Sequence, residues 1–575
     1  MFELREPIGT HARGALHAYD EVTAALLVRR GITTAEAAEA FLAPSYDRHL
    51  HDPLLMTDMP KAAERFAHAA LKREKVAIWS DYDCDGIPAA TLLHDFLEKV
   101  GADSTTYIPH RHLEGYGMNE QGIESLAREG VTLVVTADSG ITDVAPIARA
   151  NELGMEVIVT DHHLPGDTLP PAFAVVNPNA RADEPYPFRG LCGSGVAWKL
   201  VRGALAVSPE LRARIPEGWE KWLLDMVALA TIADMVPLLD ENRVLATYGL
   251  IVMRKSPRIG FQKLCRVARC DQRTLTEDDI GFMLAPRVNA ASRMGDAKSA
   301  FDLFTTSDEV RADALAKHLE KLNRQRKAEA GAITRAVHAR LKARGAMPSV
   351  IALGDPSWRP ALLGLVANSI AEEYNRPVFL WGREGDASIK GSVRSGAVNA
   401  LELMRIAGDA FIEFGGHAAS GGFTAHEDAI FTLEGRLASA LAHLTVDDPT
   451  DPTSARADFE ITPEEATHAL LGKLERLGPF GMGNEKPLVR LHGVCVRAVS
   501  RFGKGEEHRK IAFARDETSA LDAIVFFARG ALARTIDSIA EGSLVNVLAH
   551  LERDRFSRGR PVRLRLVAIS KADSA

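Results

Sequence analysis

The chain has 575 residues, 46% of them hydrophobic, and carries 69 Lys and Arg against 77 Asp and Glu, a net charge of −8. A chain of this length and composition can bury several hydrophobic cores, and we expect about three or four domains. No apolar run approaches the roughly 18–20 residues of a membrane span, residues 1–14 lack the apolar core of a signal peptide, and the five cysteines are too scattered for a disulfide framework, so we expect a soluble, cytoplasmic protein.

Residues 1–57 contain one helical stretch and no residue with a chemical role that the sequence identifies. The helix is predicted in TTAEAAEAFLAP, where Thr33 or Thr34 would cap the first turn and Pro44 would end the last. From Pro60 onward, strands and helices alternate. This pattern predicts an α/β fold with a mostly parallel sheet that continues to about Gly260.

The first strand-to-helix turn of this pattern is strongly acidic. Residues 76–79 read as a buried strand and AATLLHDFL as a helix, so Asp81, Asp83 and Asp85 fall on the turn between them. Ligands collect at the carboxyl ends of strands in an open α/β sheet, and carboxylates there hold hard divalent cations. The turn is therefore either a metal site or an acidic turn that Gly86 closes.

Two later strands end in the same way, which favours the metal site. Asp138 follows the apolar residues 133–135, and Asp161, His162 and His163 follow the apolar residues 157–159. Asp234 follows a fourth apolar segment and is a further candidate ligand. Carboxylates combined with imidazole suit Mn²⁺ or Mg²⁺ better than a structural zinc ion, which prefers thiolates. The array has enough ligands for two ions.

Three other stretches leave alternatives open. YIPHRHLEGYGM places Arg111, with His110 and His112, in a loop that is either solvated or a phosphate clamp. CGSGVAWKL is a glycine-rich turn that enters a helix and serves either a phosphate or, as we favour, tight packing. PRVNAASRMG contributes Arg293 as a second candidate phosphate contact.

The last part of the chain is predicted to contain a long helix, a second α/β unit and a barrel. Residues 306–345 read as one charged helix that bridges two domains, and residues 445–454 read as a linker. The short alternating runs that follow predict a small antiparallel barrel. Residues 488–575 carry 16 Lys and Arg against 10 Asp and Glu. The interspersed aromatics form either a platform for a single strand or the barrel core; they are Phe502, Phe526, Phe527 and Phe556.

The motifs DYDCDG, TADSG, TDHH and ATIADMVPL resemble, in order and spacing, those of the DHH phosphoesterase superfamily. Further blocks, among them GSVRS, EFGGHAASGGF and PFGMGNEKP, resemble its bacterial single-strand-specific 5′→3′ DNA exonucleases, and the resemblance extends from residue 58 to the C-terminus. It implies a lead-in (1–57), a parallel-sheet DHH domain (58–305), a connector helix (306–345), a second α/β domain of the DHHA1 type (346–444), and a linker with an OB-like β-barrel (445–575).

The resemblance also implies the chemistry, which is hydrolysis of single-stranded DNA from the 5′ end to mononucleotides by two Mn²⁺ or Mg²⁺ ions. Asp138, Asp161 and His163 are the implied catalytic residues; Asp161 would orient a neighbour, and His163 would face the phosphate or the leaving group. The implied ligands are Asp81 and Asp83 for one ion, Asp85, His162 and Asp234 for the other, and Asp138 as the bridge.

The implied substrate contacts lie in both α/β domains. Arg111, Arg293, Ser392 and Arg394 would bind the terminal phosphate, and His417 would lie beside the glycine-rich loop of the second domain. The implied role is in DNA recombination and repair, with a single-strand-binding protein and a helicase as candidate partners.

Two other functions stay open at this point. A DHH relative could hydrolyse short oligoribonucleotides or nucleotides with the same metals, but the basic barrel and the long helix favour a polymeric strand. A non-enzymatic scaffold, like the replication proteins of the superfamily that lack metal carboxylates, is disfavoured because every expected carboxylate and imidazole is present.

Overall fold

The structure, a computed structural model, describes residues 2–572 apart from 112, 384–387, 397, 445–455, 504, 556, 558 and 560. His112, Phe556 and the whole of the predicted linker (445–454) therefore lie outside the described residues. The chain divides into two units. The first contains Gly9–Arg324 and Glu475–Lys486, and the second contains the N-terminal residues to Ile8, Gln325–Leu474 and Pro487–Ala575.

The first unit is built on a five-stranded sheet in the order β2-β1-β3-β4-β5, with every described pairing parallel. Strands β1 and β3 are buried along their whole length, as expected for a sheet that helices cover on both faces. All five strands therefore end at the same edge. The strands are β1 Val76–Ser80, β2 Ser104–Tyr107, β3 Leu133–Ala137, β4 Glu156–Thr160 and β5 Ala174–Val176.

Seven helices precede or alternate with these strands. The predicted N-terminal helix is confirmed as α3, and the hydroxyl of Thr34 accepts a hydrogen bond from the N–H of Ala37 as its cap. The helices are α1 Thr10–Ala15, α2 Glu21–Val28, α3 Ala35–Leu42, α4 Met59–Lys72, α5 Gly86–Val100, α6 Glu120–Arg128 and α7 Val144–Glu152.

The strand–helix alternation ends at Val176, so its expected continuation to about Gly260 is wrong. Between Val176 and Thr305, the described residues form helices and loops but no strand. Short apolar runs fit a buried helix as well as a buried strand, which explains the error. The helices are α8 Gly193–Val207, α9 Pro209–Arg212, α10 Leu224–Ala233, α11 Asp240–Met253, α12 Ile259–Ala268, α13 Glu277–Asp279, α14 Ala285–Met294 and α15 Lys298–Thr305.

The predicted long helix is confirmed as α16, which runs over Glu309–Ala343 and contains the division between the two units. The second unit then forms a mixed sheet in the order β6-β7-β8-β10-β9, in which only β6 and β7 are parallel. Its elements are β6 Ile351–Gly354, α17 Pro360–Tyr374, β7 Val378–Gly382, β8 Ile389–Arg394, α18 Ala400–Ala407, β9 Phe411–His417, β10 Ser420–Ala425 and α19 Leu433–Leu441.

The predicted C-terminal barrel is present, and pairing of its first long strand β12 with β15 closes it. It is not wholly antiparallel, because the hairpin β15–β16 returns so that β16 runs parallel to β14. Its elements are β11 Phe459–Glu460, α20 His468–Glu475, β12 Val489–Phe502, β13 His508–Ala514, β14 Ala520–Val525, α21 Gly530–Asp537, β15 Leu544–Arg553 and β16 Val562–Lys571. Within the described part of the chain, no helix has the length and apolarity to cross a bilayer.

Candidate metal centre and substrate contacts

The turn after β1 packs three carboxylates closely together. Asp83 Oδ1 accepts hydrogen bonds from the N–H groups of Asp85 (2.8 Å) and Gly86 (3.1 Å), which fixes the start of α5. A side chain at Gly86 would place its Cβ 2.4 Å from the main-chain oxygen of Asp81, so only glycine fits there. The backbone therefore holds these carboxylates at the end of β1.

The glycine-rich turn before α8 binds one of these carboxylates. Asp85 Oδ2 accepts from the N–H of Gly193 (2.6 Å), and Oδ1 accepts from the N–H of Ser194 (2.7 Å). The N-terminus of a helix favours a negative charge in this position. A Cβ on Gly193 would lie 2.4 Å from Asp138 Oδ1. The turn thus serves tight packing around the acids, which is the alternative that the sequence favoured over a phosphate cradle.

Asp161 organises the turn after β4. Its carboxylate is fully buried and accepts hydrogen bonds from the N–H groups of Ile141 (3.0 Å), His162 (2.7 Å) and His163 (3.1 Å). His163 Nδ1 lies 2.8 Å from the same carboxylate. Asp161 thus faces its neighbours rather than the other acids, as an orienting role requires.

His162 and Asp234 complete the cluster. His162 Nε2 lies 3.2 Å from Asp138 Oδ1, 3.7 Å from Asp85 Oδ2 and 3.8 Å from Asp234 Oδ2. Asp234 follows the last residue of α10, so the apolar segment before it is a buried helix and not a strand. A helix and three strands therefore converge on one point.

The structure brings all six predicted metal ligands together. Their ligand atoms form two sets of three, and the atoms of each set lie within 4.8 Å of one another. A further set links Asp138, His162 and His163. The two main sets are Asp81, Asp83 and Asp138, and Asp85, His162 and Asp234.

The close packing of buried acids in this cluster favours a bound cation. Burial, followed by the charges of neighbouring carboxylates, raises the pKa of Asp81 and Asp138 well above the usual range and that of Asp234 to about 8. Asp81 Oδ1 and Asp138 Oδ1 are buried without a hydrogen-bond partner among the described residues. A divalent metal ion supplies both the missing partner and the missing positive charge, so the residues present fit Mn²⁺ or Mg²⁺.

The surroundings of His163 favour its protonated form. Burial lowers the pKa of this imidazole, but the hydrogen bond and the charge of Asp161 outweigh burial and raise the pKa to about 9. Conversely, burial raises the pKa of Asp161, but the contacts with His163 and with the N–H of Ile141 outweigh it and lower that pKa. The ring is 46% exposed and lies beside the hydroxyl of Tyr116, at 3.3 Å. It is available to a ligand.

Three protein-family models match the chain: the DHH family N-terminal domain at residues 75–231, the DHHA1 domain at 347–445 and the RecJ OB domain at 457–568. The single-stranded-DNA-specific exonuclease RecJ of Bacillus subtilis (strain 168) is 34% identical over 93% of this chain, which spans 66% of that protein. RecJ of Dickeya dadantii (strain 3937) is 34% identical, with 84% of this chain and 85% of that protein covered. The chain belongs to the RecJ family. Its fold agrees with the crystal structure of RecJ in complex with Mn²⁺ from Thermus thermophilus, at a TM-score of 0.81 and 27% identity, over 100% of this chain and 79% of that one.

Two predicted phosphate contacts of this RecJ-family chain lie near the metal centre. The guanidinium of Arg111 lies 4.8 Å from the centre of the Tyr82 ring. Burial raises the pKa of Tyr82 to about 12, and the charges of Arg111 and, less strongly, Arg293 oppose that rise. Tyr82 is the neighbour of Asp81 in the acidic turn. Arg111 therefore lies beside the acidic turn, and the charge of Arg293 acts on the same ring.

The other predicted contacts share one end of the sheet in the second unit. A Cβ on Gly364 of α17 would lie 3.0 Å from Arg394 Nη2 and 3.6 Å from Ser392 Oγ, so these two side chains lie side by side. Ser420 pairs with Arg394 on one side and with His417 on the other. Burial lowers the pKa of Arg394, and no carboxylate among the described residues forms an ion pair with it. An anion from outside would satisfy this guanidinium.

The aromatic residues of the barrel are not all core. The rings of Phe502, Phe526 and Phe527 surround His508 at centroid distances of 5.0, 5.3 and 4.7 Å. Phe527 is 58% exposed, and the guanidinium of Arg565 lies 4.4 Å from the ring centre of Phe526. Phe527 thus supplies an exposed ring and its neighbour Phe526 a partly exposed ring under a cation, and a single-strand platform uses both kinds of group.

Three asparagines that the sequence reasoning missed support the metal-binding turns. Asn289 Oδ1 accepts from the N–H of Cys84 (3.0 Å) inside the acidic turn. Asn177 and Asn179 donate to the main-chain oxygens of His163 (2.9 Å) and His162 (2.7 Å). Two signals were present: Asn289 lies in the PRVNAASRMG block, and Asn177 follows the buried strand β5 directly.

Proposed function

We propose that this chain is a metal-dependent exonuclease that hydrolyses single-stranded DNA from its 5′ end to mononucleotides. The observation that carries the proposal is the double ligand set in a chain of the RecJ family, together with two buried carboxylate oxygens that accept no hydrogen bond from the described residues. The relatives that match most of its length are named single-stranded-DNA-specific exonucleases.

The metal ligands are assigned as the sequence predicted. In a site with two such ions, the metals polarise the scissile phosphate, lower the pKa of a bound water and stabilise the leaving oxygen. Asp81 and Asp83 would hold one ion, Asp85, His162 and Asp234 the other, and Asp138 both.

The remaining residues of the centre orient His163 and allow it to donate a proton. Asp161 accepts the hydrogen bond of His163 Nδ1 and so fixes the ring plane. This leaves Nε2 to donate a proton to a phosphate or leaving oxygen. Tyr116 lies against the same ring and limits its rotation. Asp138, Asp161 and His163 are therefore the proposed catalytic group, in which Asp161 acts through His163.

Recognition of the 5′ end is assigned to arginines, because a terminal phosphate carries more negative charge than an internal diester. Arg394 supports this assignment best, since it is half-buried and pairs with no carboxylate among the described residues. Ser392 lies beside it and is assigned to the same phosphate, together with Arg111 and Arg293 of the first unit. His417, beside the glycine-rich loop of the second domain, is the remaining proposed contact of the strand. The barrel would hold the rest of the strand, which a helicase and a single-strand-binding protein would supply.

A nuclease assay tests the proposal. Single strands of DNA with and without a 5′-phosphate, labelled at either end, are incubated with Mn²⁺, with Mg²⁺ or with a chelator. We expect mononucleotides released from the 5′ end only when metal is present, and none from Asp138→Asn. Release from the 3′ end, or activity confined to short oligoribonucleotides, would refute the proposal, and the second result would identify the alternative DHH phosphodiesterase.

A further inference from the structure

A short segment near the C-terminal end of the sequence packs against the loop that carries Asp234. The segment Glu475–Lys486 contains the PFGMGNEKP motif and belongs to the first unit, although it follows the second α/β domain in sequence. The main-chain oxygen of Met482 accepts a hydrogen bond from the N–H of Leu238 (2.8 Å). A Cβ on Gly481 would lie 2.8 Å from Leu238 Cδ1. The segment and the loop are therefore in close contact.

Arg243 ties this segment to the helix that follows the loop. The side chain is 2% exposed and donates to three main-chain oxygens: that of Phe41 from Nε (2.6 Å), that of Leu477 from Nη1 (2.9 Å) and that of Gly478 from Nη2 (2.8 Å). The structure gives Arg243 no ion pair among the residues it describes. Its guanidinium also lies 3.6 Å from the centre of the Phe41 ring. A buried charge without an ion pair is costly to leave unsatisfied, so these contacts must be made together.

Asn484 closes the segment on itself. The residue is fully buried; its Nδ2 donates to the main-chain oxygens of Leu477 (2.8 Å) and Pro479 (2.8 Å), and its Oδ1 accepts from Nε of Arg30 (2.7 Å). The two carbonyls next to each other at 477 and 478 are thus presented to Arg243 in a fixed geometry.

The loop that carries Asp234 needs external support. Met235 and Asp240 adopt φ values of +60° and +47°, which non-glycine residues rarely adopt and which cost of order 1–3 kcal/mol each. This backbone strain favours movement of the loop away from the ligand set.

We propose that residues 477–484 act as a clamp that fixes Asp234 as a metal ligand, with Arg243 and Asn484 as its positioning residues. The metal centre is then completed by a segment from the C-terminal fifth of the chain. The inference deepens the proposed function, on which its nuclease readout rests, but its metal-binding readout stands independently.

The test compares full-length variants. Arg243→Met and Asn484→Ala remove the clamp bonds, and Arg243→Lys restores one donor. The control is Arg254→Met, because Arg254 also donates twice to a carbonyl, that of Leu275 (2.9 and 2.6 Å), but at the opposite end of α11 from the loop. Mn²⁺ is titrated into each metal-free protein and the free ion is followed by electron paramagnetic resonance; thermal unfolding and nuclease activity against Mn²⁺ concentration are measured beside it.

We expect at least one bound Mn²⁺ to be weakened tenfold or more in Arg243→Met and Asn484→Ala, partial recovery in Arg243→Lys, and wild-type affinity in Arg254→Met. Nuclease activity should recover in part at high Mn²⁺. Unchanged Mn²⁺ affinity in the clamp variants, or an equal loss in Arg254→Met, would overturn the clamp. If a clamp variant fails to fold, Gly481→Ala replaces it, because its Cβ would lie 2.8 Å from Leu238 Cδ1 and would press the segment away from the loop. A wild-type protein that binds Mn²⁺ but lacks nuclease activity would refute only the proposed function.

Discussion

Substitution of one glycine should disable the metal centre although every proposed metal ligand is kept. In Gly193→Ala the new Cβ would lie 2.4 Å from Asp138 Oδ1, 2.5 Å from its Cβ and 2.6 Å from its Cγ, whereas ordinary contact begins at 3.4 Å. The two residues must therefore separate by about 1 Å. Asp138 cannot yield easily, because its N–H is bonded to Thr160 and its φ is already +64°. A displacement of about 1 Å in a reacting group lowers the rate about 100-fold.

Gly195→Ala is the matched control, two residues further along the same helix. Its Cβ would meet nothing closer than Leu191 Cδ2 at 3.4 Å, and alanine stabilises a helix interior by about 0.5–1 kcal/mol relative to glycine. We expect Gly195→Ala to keep its activity and Gly193→Ala to lose about 100-fold in hydrolysis of end-labelled single strands, with weaker Mn²⁺ binding and with binding of long strands retained. Equal activities for the two variants would show that the packing of Gly193 against Asp138 does not set the geometry.

Three other predictions concern pH, the 5′ end and the barrel. The pKa of Asp234 is raised to about 8 in the folded protein, so folding favours the protonated acid and this contribution to stability is lost as the pH rises toward 8. The metal-free protein should therefore have a lower Tm at pH 8 than at pH 6 in calorimetry. Mn²⁺ should raise Tm more at pH 8, because fewer protons compete with the ion. A pH-independent Tm would contradict this. Arg394→Ala should lower cleavage of 5′-phosphorylated strands 10- to 100-fold, about 1.4–3 kcal/mol, and that of unphosphorylated strands much less; equal losses would exclude a phosphate contact. Phe527→Ala should weaken binding of long strands by about 1–3 kcal/mol in an anisotropy titration but leave cleavage of very short ones intact, and unchanged binding would remove Phe527 from the platform.

The carboxylates at the strand ends could be predicted from the sequence because a parallel sheet imposes a simple rule. Buried strands read as continuous apolar runs, and the first charged residue after each run must lie at the same edge of the sheet. Asp81, Asp138 and Asp161 follow this rule. Asp234, the proposed ligand of the second ion, does not, because the apolar run before it is a helix. The apolar run made Asp234 a candidate although it is not a strand, and the resemblance to known motifs supported the choice.

Other features depend on contacts between residues far apart in sequence. The clamp joins Arg243 to Leu477 across 234 residues, and no local pattern specifies such a pair. The role of Gly193 is also non-local, because its packing against Asp138 exists only after α8 docks on the sheet. The parallel pairing of β14 with β16 escaped prediction for a similar reason: alternation identifies strands but not their partners.

The position of the clamp segment also has a consequence for the order in which the protein is made. All six metal ligands are synthesised before Leu477, which follows Arg243 by 234 residues. At roughly 5–20 residues per second, the growing chain carries its complete ligand set for some ten to fifty seconds before the clamp emerges. On the clamp proposal, a chain whose synthesis stops in that interval contains every metal ligand but no fixed metal centre, and an incomplete nuclease is thereby kept inactive until nearly the whole chain has been translated.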